Sequence, residues 1–262
     1  MEALSSSVKA DKPLIPKTYV LLPAYNEAEA LARLVPRISD ALRKASRPFE
    51  IVVVNDGSAD ATSRVLASLA ADHRVRELIH PHNLGYGAAL RTAFLWVCQN
   101  AQPEDAAATL DADNTQDPAY LPRLLNRLED GCEAVTASYT MVGGRAYGLP
   151  FSRQLMSTVL NRLFQLVFRL EGVETYTNGF RAYRVSTLRR VQEHYKDRLI
   201  VESGFPGGTE IFLKVVGSGG RVSEIPFELH YDQRGKASKI RLLSTIRRYL
   251  KLLLTGHRYV LS

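Results

Sequence analysis

Ile51-Val52-Val53-Val54-Asn55-Asp56-Gly57-Ser58 is a run of four β-branched residues that stops at a polar, glycine-containing turn. A run with no apolar–polar alternation belongs to a strand buried on both faces. The turn leads into a helical pattern extending to about residue 71, with Asp60 placed to cap it. The same order of strand, polar turn and helix lies on either side. Tyr19-Val20-Leu21-Leu22 ends at Pro23 and precedes a helix over 27–44, with Leu31, Leu34, Val35 and Ile38 on one face. Residues 76–80 read as a third strand before a helix over 85–98, and 107–110 as a fourth strand ending at Asp111. A helix over 118–129 and a strand over 133–137 complete the series. Buried strands alternating with amphipathic helices predict an α/β fold, a mostly parallel central sheet with helices on both faces. Ligands of such sheets bind beyond the carboxyl ends of the strands. Here those ends carry residues 23–27, 55–58 and 111–115, so polar residues converge on one rim.

The second half reads differently. A long helix over 151–170 is followed by a polar segment over 175–184, helices over 185–196 and 209–216, and a strand over 222–229. Residues 1–17 are expected to be a flexible tail. There is no internal repeat and no low-complexity stretch. The 262 residues are enough for one full core.

The net charge of +7 is unevenly placed: no acidic residue follows Asp232, whereas Arg234, Lys236, Lys239, Arg241, Arg247, Arg248, Lys251 and Arg258 do. Such a tail favours an anionic substrate, an anionic membrane or nucleic acid. Nucleic acid is the weakest of these, because no recognition motif and no interleaved stacking aromatics are present. Cys98 and Cys132 fit no metal spacing and no disulfide framework, so a reducing cytoplasmic setting is expected. The start of the chain lacks an apolar signal core, and the apolar stretch 149–170 is broken by Arg153, Asn161, Arg162 and Arg169, so no membrane span is expected.

Asp111 and Asp113 are the central pair. One residue apart beyond a buried strand, two carboxylates can face the same cleft, where a hard cation such as Mg2+ or Mn2+ would relieve their repulsion. The plainer alternative is a turn, since Asp113-Asn114 suits an Asx turn. The rim position favours the metal. Asp56 can accept from a base N–H or bind a ribose hydroxyl. No G-x-G-x-x-G follows the first strand and no phosphate-binding G-x-x-x-x-G-K-[ST] occurs, which removes the main support for a dinucleotide-dependent dehydrogenase or a P-loop NTPase. Gly85-Tyr86-Gly87 reads as close helix–strand packing.

Taken together, Leu22-Pro23-Ala24-Tyr25-Asn26-Glu27, Val54-Asn55-Asp56-Gly57-Ser58, Asn83-Leu84-Gly85-Tyr86-Gly87-Ala88 and Asp111-Ala112-Asp113 resemble the inverting family 2 glycosyltransferases of the GT-A fold. Asn178-Gly179-Phe180-Arg181-Ala182-Tyr183-Arg184, Glu224-Ile225-Pro226-Phe227 and Arg234-Gly235 with Ser238-Lys239 are similar to the dolichol-phosphate mannose synthase branch. The resemblance spans residues 19–254.

It implies transfer of a hexose, mannose first, from a GDP- or UDP-sugar to a polyprenyl phosphate, with Mg2+ or Mn2+. Pro23, Tyr25, Glu27, Val54 and Asp56 would hold the nucleoside. Asp111, Ala112 and Asp113 would hold ribose, diphosphate and metal, with Asp113 the main ligand. Arg153 would bind the lipid phosphate, and Arg234 and Lys239, on a mobile loop, would close over the phosphates. Asp113, Arg153 and Arg234 are thus the expected catalytic set. The implied division is a tail over 1–17, a transferase domain over 18–238 and an amphipathic C-terminal segment over 239–262.

The sequence also departs from the branch. Ser138-Tyr139-Thr140 lacks the usual arginine, for which Arg145 is a candidate replacement. Thr175 stands where an Asp is common, and Thr115, not Gln or His, stands two after Asp113. A hydroxyl acceptor is the alternative, with Glu210 or Asp232 as base; a degenerate partner subunit is another. In the C-terminal segment, Leu242, Leu243, Ile246, Tyr249, Leu250, Leu253 and Leu254 share one side of a helical wheel, with Arg241, Arg247, Arg248 and Lys251 opposite. That pattern suits either docking on the core or peripheral contact with the cytoplasmic face of a membrane, alone or through an anchoring or regulatory subunit.

Overall fold

The chain alternates strand and helix through its first half, as its hydrophobic runs require. The structure is a computed structural model that describes residues 15–235 and 242–260. The strands are β1 (Thr18–Ala24), β2 (Phe49–Asn55), β3 (Val75–Ile79), β4 (Ala106–Thr109), β5 (Ala134–Ser138), β6 (Arg145–Tyr147), β7 (Arg181–Arg184), β8 (Val222–Pro226) and β9 (Glu228–His230). The helices are α1 (Ala28–Lys44), α2 (Thr62–His73), α3 (Tyr86–Asn100), α4 (Leu121–Glu129), α5 (Phe151–Phe168), α6 (Val185–Tyr195), α7 (Gly207–Gly217) and α8 (Leu242–Val260).

Seven strands form one sheet in the order β3-β2-β1-β4-β7-β5-β8. The first four are mutually parallel, and β5 pairs parallel with β8. Adjacent residues of β1 face opposite sides: Tyr19 and Leu21 enter one apolar cluster, Val20 and Leu22 the other. α3, α6, α7 and α8 contribute to the first cluster, and α1 and α4 to the second. Both faces are dry, which is why the strands read as unbroken apolar runs.

Three expectations need correction. The polar segment 175–184 contains a strand, β7, inserted antiparallel between β4 and β5. Its disguise is Arg181, only 1% exposed, whose guanidinium donates to the carbonyls of Gly208 and Tyr176 at 2.5 Å and lies over the Phe212 ring. Hydropathy counts such an arginine as surface. The expected strand 222–229 is two strands: β8 stays on the main sheet, and past Phe227 β9 leaves it to pair parallel with β6. Gly85 and Gly87 do serve close packing, but against the 202–204 loop. The amide of Gly87 donates to Ser203 at 2.8 Å, and any Cβ there would sit 1.9 Å from the Glu202 carbonyl oxygen.

The C-terminal helix is docked. Thr245, Tyr249 and Leu252 of α8 are buried, and Tyr249 meets Phe164 of α5 edge-on at 6.1 Å. Leu243, Leu250 and Leu254 stay exposed. Among the described residues no helix is long and apolar enough to cross a membrane. Cys98 and Cys132 are buried and unpaired, and burial pushes the Cys98 thiol up to about 11.

Candidate functional site

The loops at the carboxyl ends of β1 and β2 are bonded to each other, and Asn114 of the loop after β4 donates to the Ala30 carbonyl of α1 at 3.0 Å. Asn26, in a left-handed conformation (φ 54°), donates its amide to Ser58 Oγ at 2.8 Å and accepts from Ala59 N at 2.8 Å through Oδ1. Asp60 accepts from Thr62 N at 3.0 Å and from Ala28 N at 3.3 Å, so one carboxylate serves the first turns of both α2 and α1. The rim is therefore a cross-linked wall.

Asp111 and Asp113 stand where β4 ends. Tyr86 donates to Asp111 Oδ1 at 3.0 Å, and Gln116 donates to Oδ2 at 3.1 Å while its Oε1 accepts the Asp111 amide at 3.0 Å. Burial first, and then the neighbouring Asp113 carboxylate, raise Asp111 from 3.8 to about 7. Tyr86 comes so near because Gly179 has no side chain; a Cβ there would lie 2.8 Å from the Tyr86 hydroxyl. Asp113 does make the Asx turn, since Oδ1 accepts from Thr115 N at 3.1 Å and from Thr115 Oγ1 at 2.7 Å. Its other oxygen, Oδ2, faces the Arg234 guanidinium at 3.2 Å. Turn and cation partner coexist on one side chain. Two adjacent carboxylates, one already matched to a positive charge, suit a hard divalent ion that takes further ligands from phosphate oxygens.

The other expected donor residues divide. Glu27 lines a small cavity with Glu29, Arg33, Asp113, Arg234 and Gly235, so it shares a space with Asp113 and Arg234. Tyr25 lies on the same rim, half-buried. Pro23 and Val54 are paired partners in β1 and β2, and the Val54 and Ala112 side chains are buried in the two cores. Only their backbone can face a ligand. Pro23 costs the sheet nothing, because the β1–β4 ladder has already ended at Leu21 and Thr109. Asp56 is 3% exposed and heavily engaged: Oδ1 lies 2.7 Å from His80 Nδ1 and accepts from Leu84 N, and Oδ2 accepts from Gly85 N, each at 2.9 Å. It anchors the 83–85 loop.

Across the cleft, β6 leads into α5, which carries Arg153 in its first turn, and β9 leads into a 3-10 turn, Tyr231–Gln233, followed by Arg234. Arg153 and Arg234 both lie over the Tyr231 ring, at 5.5 and 5.4 Å from its centroid. Tyr139 donates to Ser157 Oγ at 2.7 Å, which ties it to α5. Thr175 Oγ1 lies 2.6 Å from Ser138 Oγ and 3.1 Å from Thr140 Oγ1, a neutral hydroxyl cluster. Arg145 is exposed on β6 beside Tyr147 and Glu228. Lys239 lies outside the described residues.

Of the two expected bases for a hydroxyl acceptor, Glu210 is withdrawn into the core. Glu210 is buried against Lys214 Nζ at 2.6 Å and accepts the amides of Val201 and Glu202. Asp232 is exposed, 3.7 Å from His230. Sequence reasoning gave no role to Tyr86, Gln116, His80 or Tyr231. Tyr86 and Gln116 stood inside or beside quoted motifs, so an accounting of hydrogen-bond partners for Asp111 is the signal that finds them.

The model of the family described as Glycosyl transferase family 2 matches residues 19–192. A polyprenol monophosphomannose synthase of Mycolicibacterium smegmatis is 30% identical over 213 residues, which is 80% of this chain and 76% of that protein. An undecaprenyl-phosphate mannosyltransferase of Micrococcus luteus is 28% identical over 223 residues, 84% of this chain and 86% of that one. A solved glucosyl-3-phosphoglycerate synthase of Mycobacterium tuberculosis, in complex with Mn2+ and UDP-glucose, matches with a TM-score of 0.65 over 92% of this chain and 79% of that one, at 17% identity. At that identity the likeness is one of fold, the GT-A arrangement.

Proposed function

Since the chain belongs to glycosyl transferase family 2 and is a glycosyltransferase, we propose that it moves a hexose, mannose first, from a GDP- or UDP-sugar to a polyprenyl phosphate with inversion at the anomeric carbon. The observation that carries this reading is the line of groups running from Asp111 and Asp113 through Arg234 to Arg153. Carboxylates for a metal-bound diphosphate stand at one end and a guanidinium for a second phosphate at the other. The names of the two relatives support the lipid-phosphate acceptor and mannose.

Asp113, with Asp111 beside it, would hold the Mg2+ or Mn2+, which neutralises charge on the diphosphate leaving group. Pro23, Tyr25, Glu27, Val54, Asp56 and Ala112 form the wall on which the nucleoside lies, those with buried side chains contributing backbone. Arg234 and Lys239 act on the diphosphate, and Arg153 holds the acceptor phosphate; guanidinium groups pair two phosphate oxygens at once. An acceptor oxygen forms the bond to the anomeric carbon from the face opposite the leaving group. The bond to the diphosphate oxygen breaks with its electron pair. A phosphate monoester is already ionised near neutrality, so no protein base is needed, consistent with Glu210 being sealed in an ion pair.

The enzyme works peripherally at the cytoplasmic face of a membrane, directly or through an anchoring subunit. Phe151, Leu155, Val159 and Leu166 are exposed along α5, and Leu243, Leu250 and Leu254 along α8. Apolar side chains interleaved with arginines suit an anionic interface.

A thermal-shift panel of nucleotide sugars with Mn2+ identifies the donor. Turnover is then compared with polyprenyl phosphate and with soluble hydroxyl acceptors. Product from the lipid phosphate is expected; product only from hydroxyl acceptors would overturn this acceptor assignment. Donor binding without turnover on either would favour a degenerate partner subunit.

A further inference from the structure

β9 is three residues long and is held on both edges. On one side it pairs in parallel with β6, in the register Tyr147 to His230, and the two rings stack at 4.9 Å. On the other, Leu229 forms a bridge with Gln116, and His230 N donates to Thr115 O at 2.8 Å. The strand thus lies between the Asp111–Asp113 loop and the strand that launches α5. Tyr231 is the first residue beyond it, and its position is fixed from both sides.

At that point the ring meets two cations. The Arg234 guanidinium lies 5.4 Å from the ring centroid and 3.4 Å from the hydroxyl, and it reaches Asp113 at 3.2 Å. The Arg153 guanidinium lies 5.5 Å from the same centroid. Both guanidinium groups are therefore within cation–π reach of one neutral ring, whose quadrupole attracts each of them. A carboxylate in the same place would compete with phosphate for them; a ring does not.

We infer that Tyr231 is a positioning residue that holds Arg234 for the donor diphosphate and Arg153 for the acceptor phosphate, setting both cations from one aromatic ring. This rests on the proposed roles of those arginines. It predicts that a single side chain touching neither substrate governs affinity for both.

The test compares Tyr231→Leu and Tyr231→Phe with the unaltered chain in two measurements. The first is binding of GDP and UDP with Mn2+ by calorimetry. The second is the KM for a short-chain polyprenyl phosphate in detergent. Tyr231→Leu should weaken nucleotide binding and raise the acceptor KM, each by roughly fivefold or more, with an unchanged melting temperature. Tyr231→Phe keeps the ring and should restore both. The losses should be non-additive with Arg234→Met for the nucleotide and with Arg153→Met for the acceptor. If Tyr231→Leu binds and turns over as the unaltered chain does, or loses only one affinity, the inference fails while the proposed function stands. Additive losses would reduce Tyr231 to a structural role and also overturn it. If the unaltered chain binds neither nucleotide with Mn2+, the proposed function fails and takes this inference with it.

Discussion

The hydroxyl of Tyr86, at the start of α3, donates to Asp111 Oδ1 at 3.0 Å, joining the helix that follows β3 to the carboxylate that ends β4. With Gln116 on the other oxygen, Asp111 is oriented by two neutral donors before any ligand arrives. Tyr86→Phe keeps the ring, which packs against Phe205 at 4.8 Å, and removes only that donor. Affinity for nucleotide with Mn2+ should fall roughly fivefold, about 1 kcal/mol, by calorimetry, with little change in melting temperature. Unchanged affinity would mean that Asp111 needs no such orientation.

Asp113→Ala should abolish metal-dependent turnover, by about 100-fold or more, without unfolding the protein. The residue is on the rim and its partners are Thr115 and Arg234. The check is initial rate against Mn2+ concentration alongside a circular dichroism melt. Full activity in chelator-treated Asp113→Ala would refute the metal assignment.

Asp111 gives the stability a pH dependence of definite sign. Its carboxyl is raised to about 7 in the fold, above its ordinary 3.8, by burial and by Asp113. From 3.8 to about 7 the folded protein keeps a proton that the unfolded chain has lost. Stability therefore falls as pH rises across that window and levels off above it. Other carboxylates oppose the trend: arginine contacts and Lys17 hold Glu50 and Glu129 below their usual range. The readout is accordingly the difference in melting temperature between the unaltered chain and Asp111→Asn in chelator. That difference should change steadily from pH 4.5 through 7 and level off about a unit above that; a constant difference would contradict the shift.

Lys214→Met tests the buried pair on α7. Nζ donates to Glu210 and to the carbonyls of Arg198 and Leu199, and it lies over the Tyr195 and Tyr259 rings. Leaving Glu210 without its counter-ion should cost about 3–5 kcal/mol in urea denaturation. The KM for the nucleotide sugar should be nearly unchanged, because neither residue faces the rim.

Arg153→Ala should raise the acceptor KM about tenfold or more, the loss of a charge-assisted phosphate contact, while calorimetry finds nucleotide binding intact. A selective loss of nucleotide binding would contradict its role.

The strands of the first half were legible because two-sided burial writes itself as Ile51-Val52-Val53-Val54 and Tyr19-Val20-Leu21-Leu22. The rim followed, since a polar turn after each such run has only one place to go. β7 was hidden because Arg181 satisfies its charge with carbonyls and an aromatic face inside the core, and no local pattern encodes those partners. The break at Phe227 was hidden because Ile225, Phe227 and Leu229 continue one period-two alternation across it, so β8 and β9 read as one strand. Asp56 was visible as a rim carboxylate, but its commitment to His80, Leu84 and Gly85 depends on how β3 lies beside β2. The apolar side drawn for α8 is offset from the one that docks: Tyr249 lies on both, but Thr245 and Leu252 are buried while Leu243, Leu250 and Leu254 face outward. Which part of it meets α5 and α7 was decided by tertiary packing.

β9 has a consequence for how such a molecule can diversify. A three-residue strand with occupied edges on both sides leaves no slack between the Asp111–Asp113 loop and the strand that leads into α5. A shift of one residue in its register would turn Leu229 outward and drag the 115–116 bridge with it. Side-chain exchange on α5, in the 139–144 loop and at Thr175 leaves that register untouched, so variation at this end of the cleft is expected there. An insertion or deletion within β9 would break both of its edge pairings at once.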